Sequence, residues 1–210
     1  VGIVKGSPDV IKIGFEKDLT KALSGAARVL LEGGLVAFPT ESFYGLAVDA
    51  TREKAIERLF EIKGRDFDQP ILVLIPQKKI PPDWVRHIPP VAGQLIKKYW
   101  PGGLTLVFEA GPSVSHLLTS NTGKIGIRCS GHPLARALAR SAGVPITGTS
   151  ANISGKSPCR SADEVVEALG GRVDLVLDGG KTEGTIGSTI LDVTVDPPLI
   201  LRRGLVEPDF

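Results

Sequence analysis

The stretch Gly33-Gly34-Leu35-Val36-Ala37-Phe38-Pro39-Thr40-Glu41-Ser42-Phe43-Tyr44-Gly45 sets the architecture, because a helical repeat ends in it and a strand begins. Upstream, Ala22, Leu23, Ala26, Leu30 and Leu31 share one face of a 3.6-residue repeat, and the glycine pair stops it. Leu35 to Phe38 is then an unbroken apolar run of strand length, closed by Pro39, which has no amide hydrogen to continue a ladder. A short strand follows through Tyr44 to Val48. A helix leading into a strand without polar alternation is the pattern of an α/β layered fold, in which both faces of the sheet are covered.

The same alternation runs outward toward the C-terminus. Ala55, Ile56, Leu59 and Phe60 predict a helix over Arg52 to Ile62, and Ile71 to Ile75 reads as a central strand. Pro76 to Pro90, with Trp84 and His87, reads as an irregular excursion. A helix through Leu95 and Ile96 stops at Trp100-Pro101-Gly102-Gly103, and Leu104 to Phe108 is the next strand. Further strands are expected at Ile125–Arg128, Pro145–Thr149, Leu175–Leu177, Thr189–Val193 and Leu199–Leu201, with helices at Leu134–Ala142 and Ala162–Leu169. The strand-rich last third argues for a mixed rather than a purely parallel sheet. No repeat or linker divides the 210 residues, so one domain is expected.

Composition narrows the function classes. The chain is 42% hydrophobic and 23% charged with a net charge of +2, which gives no case for a protein that coats nucleic acid. Cys129 and Cys159 have no metal-ligand spacing, so zinc is not expected and a reducing cytoplasm is the default. No apolar run approaches the roughly 20 residues of a membrane span, and no signal-peptide pattern opens the chain.

Polar groups recur where strands and helices break into loops. Lys63-Gly64-Arg65 follows a predicted helix; such cations also suit a solvated helix end, but two cations flanking a glycine in a tight loop can grip separate phosphate oxygens. Thr40 offers a hydroxyl at a strand end, where ligands settle in open α/β sheets, and Tyr44 an aromatic wall with a polar tip. Glu41 is open between a cap, a partner for a cation and a metal ligand. Arg128 ends a strand beside Gly131-His132-Pro133, placed either to hold a carboxylate or phosphate or to form a structural salt bridge, while His132 reads as a helix cap. Gly148-Thr149-Ser150-Ala151-Asn152 is a loop of small residues whose side chains offer neutral hydrogen bonds; it lacks the Gly-Lys-Ser/Thr ending of a P-loop. No Ser/His/Asp or Cys/His arrangement supports a protein nucleophile.

In order, Phe38-Pro39-Thr40-Glu41-Ser42-Phe43-Tyr44-Gly45-Leu46, Lys63-Gly64-Arg65, Trp100-Pro101-Gly102-Gly103-Leu104-Thr105, Arg128 with His132-Pro133, Ser150-Ala151-Asn152, Gly187-Ser188-Thr189 and Leu201-Arg202 resemble the YrdC-like family, the threonylcarbamoyl-AMP synthases. The resemblance covers about Gly33 to Gly204. It implies a single-domain α/β fold, core about residues 17–204, with a twisted mixed β-sheet, flanking helices and a large concave cavity. It also implies a nucleotidyltransferase that converts ATP, L-threonine and bicarbonate or CO2 into threonylcarbamoyladenylate and pyrophosphate. Mg²⁺ would be held mainly through the ATP phosphates, with no protein metal site. The adenylate would pass to a tRNA threonylcarbamoyl-transferase complex that modifies adenosine next to the anticodon.

Carried over by motif, Lys63 and Arg65 would stabilise phosphate and developing charge, and Thr119, Ser150, Asn152 and Arg202 would join them on ATP. Thr40, Tyr44, Arg128, Ser150 and Ser188 would hold threonine, with Arg128 on its carboxylate. The chain resembles the short form without the extra C-terminal domain. It departs from the family pattern at Ser42, at Cys129-Ser130-Gly131, at Gly103 and at Arg203. Two other classes stand beside this one: an RNA-binding module of translation or ribosome maturation, against which the small net charge argues, and a carbamoyl-handling domain of a larger enzyme.

Overall fold

The computed structural model describes residues 6–13 and 16–210, with backbone alone at 16–18. Its elements in chain order are β1 (Asp9–Lys12), α1 (Glu16–Leu31), β2 (Val36–Pro39), β3 (Tyr44–Ala47), α2 (Glu53–Lys63), β4 (Val73–Leu74), α3 (Pro90–Tyr99) and β5 (Leu104–Glu109). They continue through α4 (His116–Thr119), β6 (Lys124–Arg128), α5 (Pro133–Ala142), β7 (Ile146–Thr147), β8 (Thr149–Ser150), α6 (Ala162–Leu169), a 3₁₀ turn (Gly170–Arg172), β9 (Leu175–Asp178), β10 (Thr189–Asp192) and β11 (Leu199–Arg202).

The fold is mixed α/β, as the alternation predicts, and the described strands are shared between two sheets. One has the order β1-β9-β2-β3-β8 and the other β11-β10-β5-β6-β4-β7. Parallel pairs such as β2/β9 and β5/β10 stand beside antiparallel ones such as β2/β3 and β5/β6. The expected strand at Pro145–Thr149 is divided at Gly148. Before that glycine β7 pairs with β4, and after it β8 pairs with β3 of the other sheet. A Cβ at Gly148 would lie 2.7 Å from Leu72 Cδ1 and 2.8 Å from Leu74 Cγ, so only glycine lets the chain cross between sheets at this distance. The Ile71–Ile75 run is strand only at Val73–Leu74. Two elements lie outside the sequence reading: β1, which pairs along β9 with Val10 45% exposed, and the single-turn α4.

Two apolar clusters hold the layers together. One gathers Leu35, Tyr44, Ile56, Phe60, Trp100, Phe108 and Ile127. The other lies where α1 and α5 cover the first sheet, with Ala26, Leu30, Phe38, Leu138 and Leu177. Burial of each large aliphatic here is worth roughly 1.5–3 kcal/mol. In β6, Ile125 and Ile127 are fully buried while Lys124, Gly126 and Arg128 line a cavity; in β5, Leu104, Leu106 and Phe108 are buried, and Thr105 and Val107 face the same space. The two-residue period of a strand gives the six-stranded sheet one core face and one cavity face. Among the described residues no helix is long and apolar enough to cross a membrane.

Candidate active site

The cavity has a volume of about 530 Å³ and opens where the two sheets meet. Its lining carries the basic residues Arg65, Lys124, Arg128 and Arg202, hydroxyls from Thr40, Ser42, Thr105, Thr122, Thr149, Ser150 and Ser188, and no carboxylate. The apolar remainder includes Ile71, Leu72, Leu74 and Val107. A concave site with a few convergent polar groups on an apolar floor is the usual form of a small-molecule pocket.

Thr40 follows β2 in a hydroxyl-closed turn: its Oγ1 donates to Phe43 O at 2.7 Å and accepts from Ser42 N at 3.2 Å. Tyr44 starts β3, fully buried, and its hydroxyl donates to Gly180 O at 2.8 Å. Burial, and then the nearby Asp178 carboxylate, push the Tyr44 phenol up to about 12.

At the end of α2, Gly64 takes the left-handed conformation (φ 54°) that closes the helix, its N–H returning to Glu61 O and Phe60 O. That turn sends Lys63 and Arg65 in different directions. Arg65 reaches the cavity, with Nε and Nη2 on the carbonyls of Gln69 and Pro70 at 3.1 and 2.9 Å. Phe67 stacks on Phe60 with ring centroids 4.7 Å apart, which pins the loop that carries Arg65.

Lys63 is 1% exposed and stands outside the cavity lining. Its ammonium donates to Ser150 O at 2.6 Å, Asn152 O at 2.9 Å and Asn152 Oδ1 at 3.3 Å. Burial, and then Arg65, lower its pKa to about 7. The three acceptors oppose that shift, since a neutral amine would leave one of them facing a lone pair. The geometry therefore favours the ammonium. Asn152, 7% exposed, is also spent within the protein: Oδ1 accepts from Ser150 Oγ at 2.6 Å, and Nδ2 donates to Ile153 O and Lys156 O. Thr119 is buried in α4 with its hydroxyl on His116 O. Lys63, Asn152 and Thr119, expected on ATP, are thus packed outside the cavity lining, whereas Thr40, Tyr44, Arg65, Arg128, Ser150, Ser188 and Arg202 are brought together around it.

Arg128 ends β6, 5% exposed, with Nε on Gly102 O at 3.2 Å. Nη2 lies 2.6 Å from Glu41 Oε1 but out of line for a hydrogen bond, so the contact is an ion pair. Glu41 also accepts from Ser130 Oγ at 2.5 Å and from Gly131 N at 2.9 Å. Of the roles open to Glu41 in the sequence, this structure shows the pairing with a cation. Burial pushes its carboxyl pKa up, but Arg128, Ser130 and Gly131 outweigh burial and hold it below the usual carboxylate value. His132 caps α5 by accepting the amide of Leu134 at its Nδ1. Opposite, Arg202 donates from Nε and Nη2 to Ser188 O at 3.1 and 2.8 Å, and Ser188 Oγ lies 2.9 Å from Thr105 Oγ1.

Lys124 and Thr122 line the cavity without having been singled out in the sequence, and Thr105 and Thr149, quoted there only within longer motifs, join them. Lys124 was legible there: in Lys124-Ile125-Gly126-Ile127-Arg128 the strand period puts it on the face of Arg128. Its ammonium is 2.8 Å from Asp192 Oδ2.

Fold and site together define a class: a mixed α/β protein with a cationic, hydroxyl-rich cavity between two sheets. The chain belongs to the Sua5/YciO/YrdC family, whose model, described as "Telomere recombination", matches residues 28–204. It is 40% identical over 179 residues to a threonylcarbamoyl-AMP synthase of Pyrococcus abyssi, across 85% of this chain and 53% of that protein. It is 39% identical over 183 residues to the threonylcarbamoyl-AMP synthase of Bacillus subtilis, across 87% of this chain and 53% of that protein. The crystal structure of P. abyssi Sua5 complexed with L-threonine superposes with a TM-score of 0.87 at 37% identity, covering 93% of this chain and 57% of that one. The chain spans about half the length of these relatives.

Proposed function

We propose that this chain is a threonylcarbamoyl-AMP synthase acting in the cytoplasm, a nucleotidyltransferase that joins ATP, L-threonine and bicarbonate or CO2. The observation that carries the reading is the cavity lining, in which Arg65, Lys124, Arg128 and Arg202 converge with hydroxyls and no carboxylate. Such a surface suits a polyphosphate beside a small amino acid. The family membership and the printed activity of the two relatives support it.

The threonine amine, once deprotonated, adds to CO2 and gives a carbamate. A carbamate oxygen then attacks the α-phosphorus of ATP, forming a P–O bond as the bond to pyrophosphate breaks. The displacement needs alignment and compensation of charge rather than a protein nucleophile. Arg65 and Arg202 meet the phosphate oxygens. Arg128 takes the threonine carboxylate, with Thr40 and Ser188 as hydroxyl partners, Tyr44 as the wall below and Ser150 between amino acid and nucleotide. Lys63 and Asn152 act through the loop they hold: the ammonium fixes the Ser150 and Asn152 carbonyls, which aims Ser150 at the ligand.

Among the described residues no cluster of His, Cys, Asp and Glu is arranged to hold a metal ion, and the cavity lining has no carboxylate. On this reading Mg²⁺ would come with the triphosphate, whose phosphate oxygens and waters would be its main ligands. The adenylate would be handed to a tRNA threonylcarbamoyl-transferase complex. The test is mass spectrometry of products after incubation with ATP, L-threonine and bicarbonate, omitting each in turn. Threonylcarbamoyladenylate and pyrophosphate are expected only in the complete mixture. Pyrophosphate release that is indifferent to threonine would contradict the reading.

A further inference from the structure

The four basic residues of the cavity are not equivalent. Arg128 lies 2.6 Å from the Glu41 carboxylate, and Lys124 lies 2.8 Å from Asp192, so each of these cations is already compensated. Arg65 and Arg202 meet only neutral acceptors: the carbonyls of Gln69 and Pro70 for the first, Ser188 O and Oγ for the second. Neither enters an ion pair among the described residues. The cavity therefore has two guanidiniums with no ion-pair partner, Arg65 feeling the Asp68 carboxylate only at longer range, and two cations each held against a carboxylate.

Coulomb attraction scales with the product of the charges. A triphosphate or pyrophosphate gains most at the two guanidiniums that no carboxylate contacts directly, Arg65 and Arg202. An α-amino acid brings one carboxylate and one amino group, and a neutral Arg–carboxylate pair offers it a hydrogen-bonding partner without drawing in a polyanion. Like charges close together disfavour the wrong ligand more strongly than a missing contact does.

We propose that Glu41 is the specificity-determining residue of the amino-acid site, reserving Arg128 for a single carboxylate and diverting the polyphosphate to Arg65 and Arg202. This rests on the synthase reading above and adds the device that keeps its two anionic substrates apart. Glu41 is fixed for the role. Ser130 Oγ, Gly131 N and Arg128 all address its oxygens, and Arg136 in turn ties the Ser130 and Gly131 carbonyls at 2.8 and 2.6 Å. The pair is mostly withdrawn from solvent, at 6% and 21% side-chain exposure, so bulk salt screens it little.

The test is calorimetric titration of L-threonine into the full chain and into Glu41→Gln, with and without excess pyrophosphate. In the wild type pyrophosphate should change the threonine Kd by less than about 2-fold; in Glu41→Gln it should raise it about 10-fold or more. Equal shifts in the two proteins would overturn the proposal. A pyrophosphate titration of each protein gives a second readout: one ion per chain is expected for the wild type and a second for Glu41→Gln, and unchanged stoichiometry would again overturn it. If Glu41→Gln does not fold, because Arg128 is left buried and alone, the wild type decides: pyrophosphate that displaces threonine overturns the proposal, and simultaneous binding supports it. Failure of the wild type to bind threonine at all would instead remove the synthase reading.

Discussion

At Lys63 the helix α2 ends on an ammonium that is 1% exposed and held by three protein oxygens, while two residues on Arg65 turns to the cavity. The two cations of one short motif thus separate into a buried position and a cavity-lining one, and substitution distinguishes them. Lys63→Met leaves Ser150 O, Asn152 O and Asn152 Oδ1 without their donor and should cost about 2 kcal/mol or more, with turnover lost as Ser150 shifts. Arg65→Ala should stay within about 0.5 kcal/mol of the wild type yet lower turnover by about 100-fold. Urea unfolding beside product formation measures both, and a wild-type midpoint for Lys63→Met would contradict the structural role. Residue types were legible in the sequence here, but the division of labour was not. The strip Lys63-Gly64-Arg65 does not state which side of the αL turn faces the cavity; only packing against the Ser150–Asn152 loop, 87 residues away in the chain, decides it.

Between elements, single residues set the relation of the sheets. Gly148 lets the chain leave β7 in one sheet and enter β8 in the other, against Leu72 and Leu74. Gly148→Ala should cost roughly 1–3 kcal/mol by overpacking, with an unchanged m-value in urea. Tyr44 latches β3 to the loop after β9 through its bond to Gly180 O. Its phenol is raised to about 12 from an ordinary value of 10, so its contribution is complete below pH 10 and is lost as pH rises through 12. Tyr44→Phe should cost about 1 kcal/mol at pH 8 and lose stability less steeply between pH 10 and 12; parallel pH profiles for the two proteins would contradict the latch. Helices and buried strands were readable because long apolar repeats fix them. β1 and α4 were not, because four residues carry too little periodicity and β1 is mostly exposed at the sheet edge.

Over the whole molecule, the mixed α/β class followed from the alternation of apolar repeats. The division of strands into two sheets did not, since sequence order gives no register. The cavity was legible in part. Strand-end hydroxyls and cations pointed to it, and the two-residue period of β6 and β5 explains why Lys124 and Thr105 join them. Compensation of Arg128 by Glu41 and of Lys124 by Asp192 depends on tertiary contacts alone. On the proposed reading, dispersed cations and hydroxyls form one cavity for both an amino acid and a nucleotide. The most direct measurement is a crystal structure with L-threonine and a non-hydrolysable ATP analogue bound together. The threonine carboxylate is expected on Arg128 and the phosphates on Arg65 and Arg202 within the one cavity. Either ligand seated elsewhere, or phosphates on Arg128 beside Glu41, would contradict it.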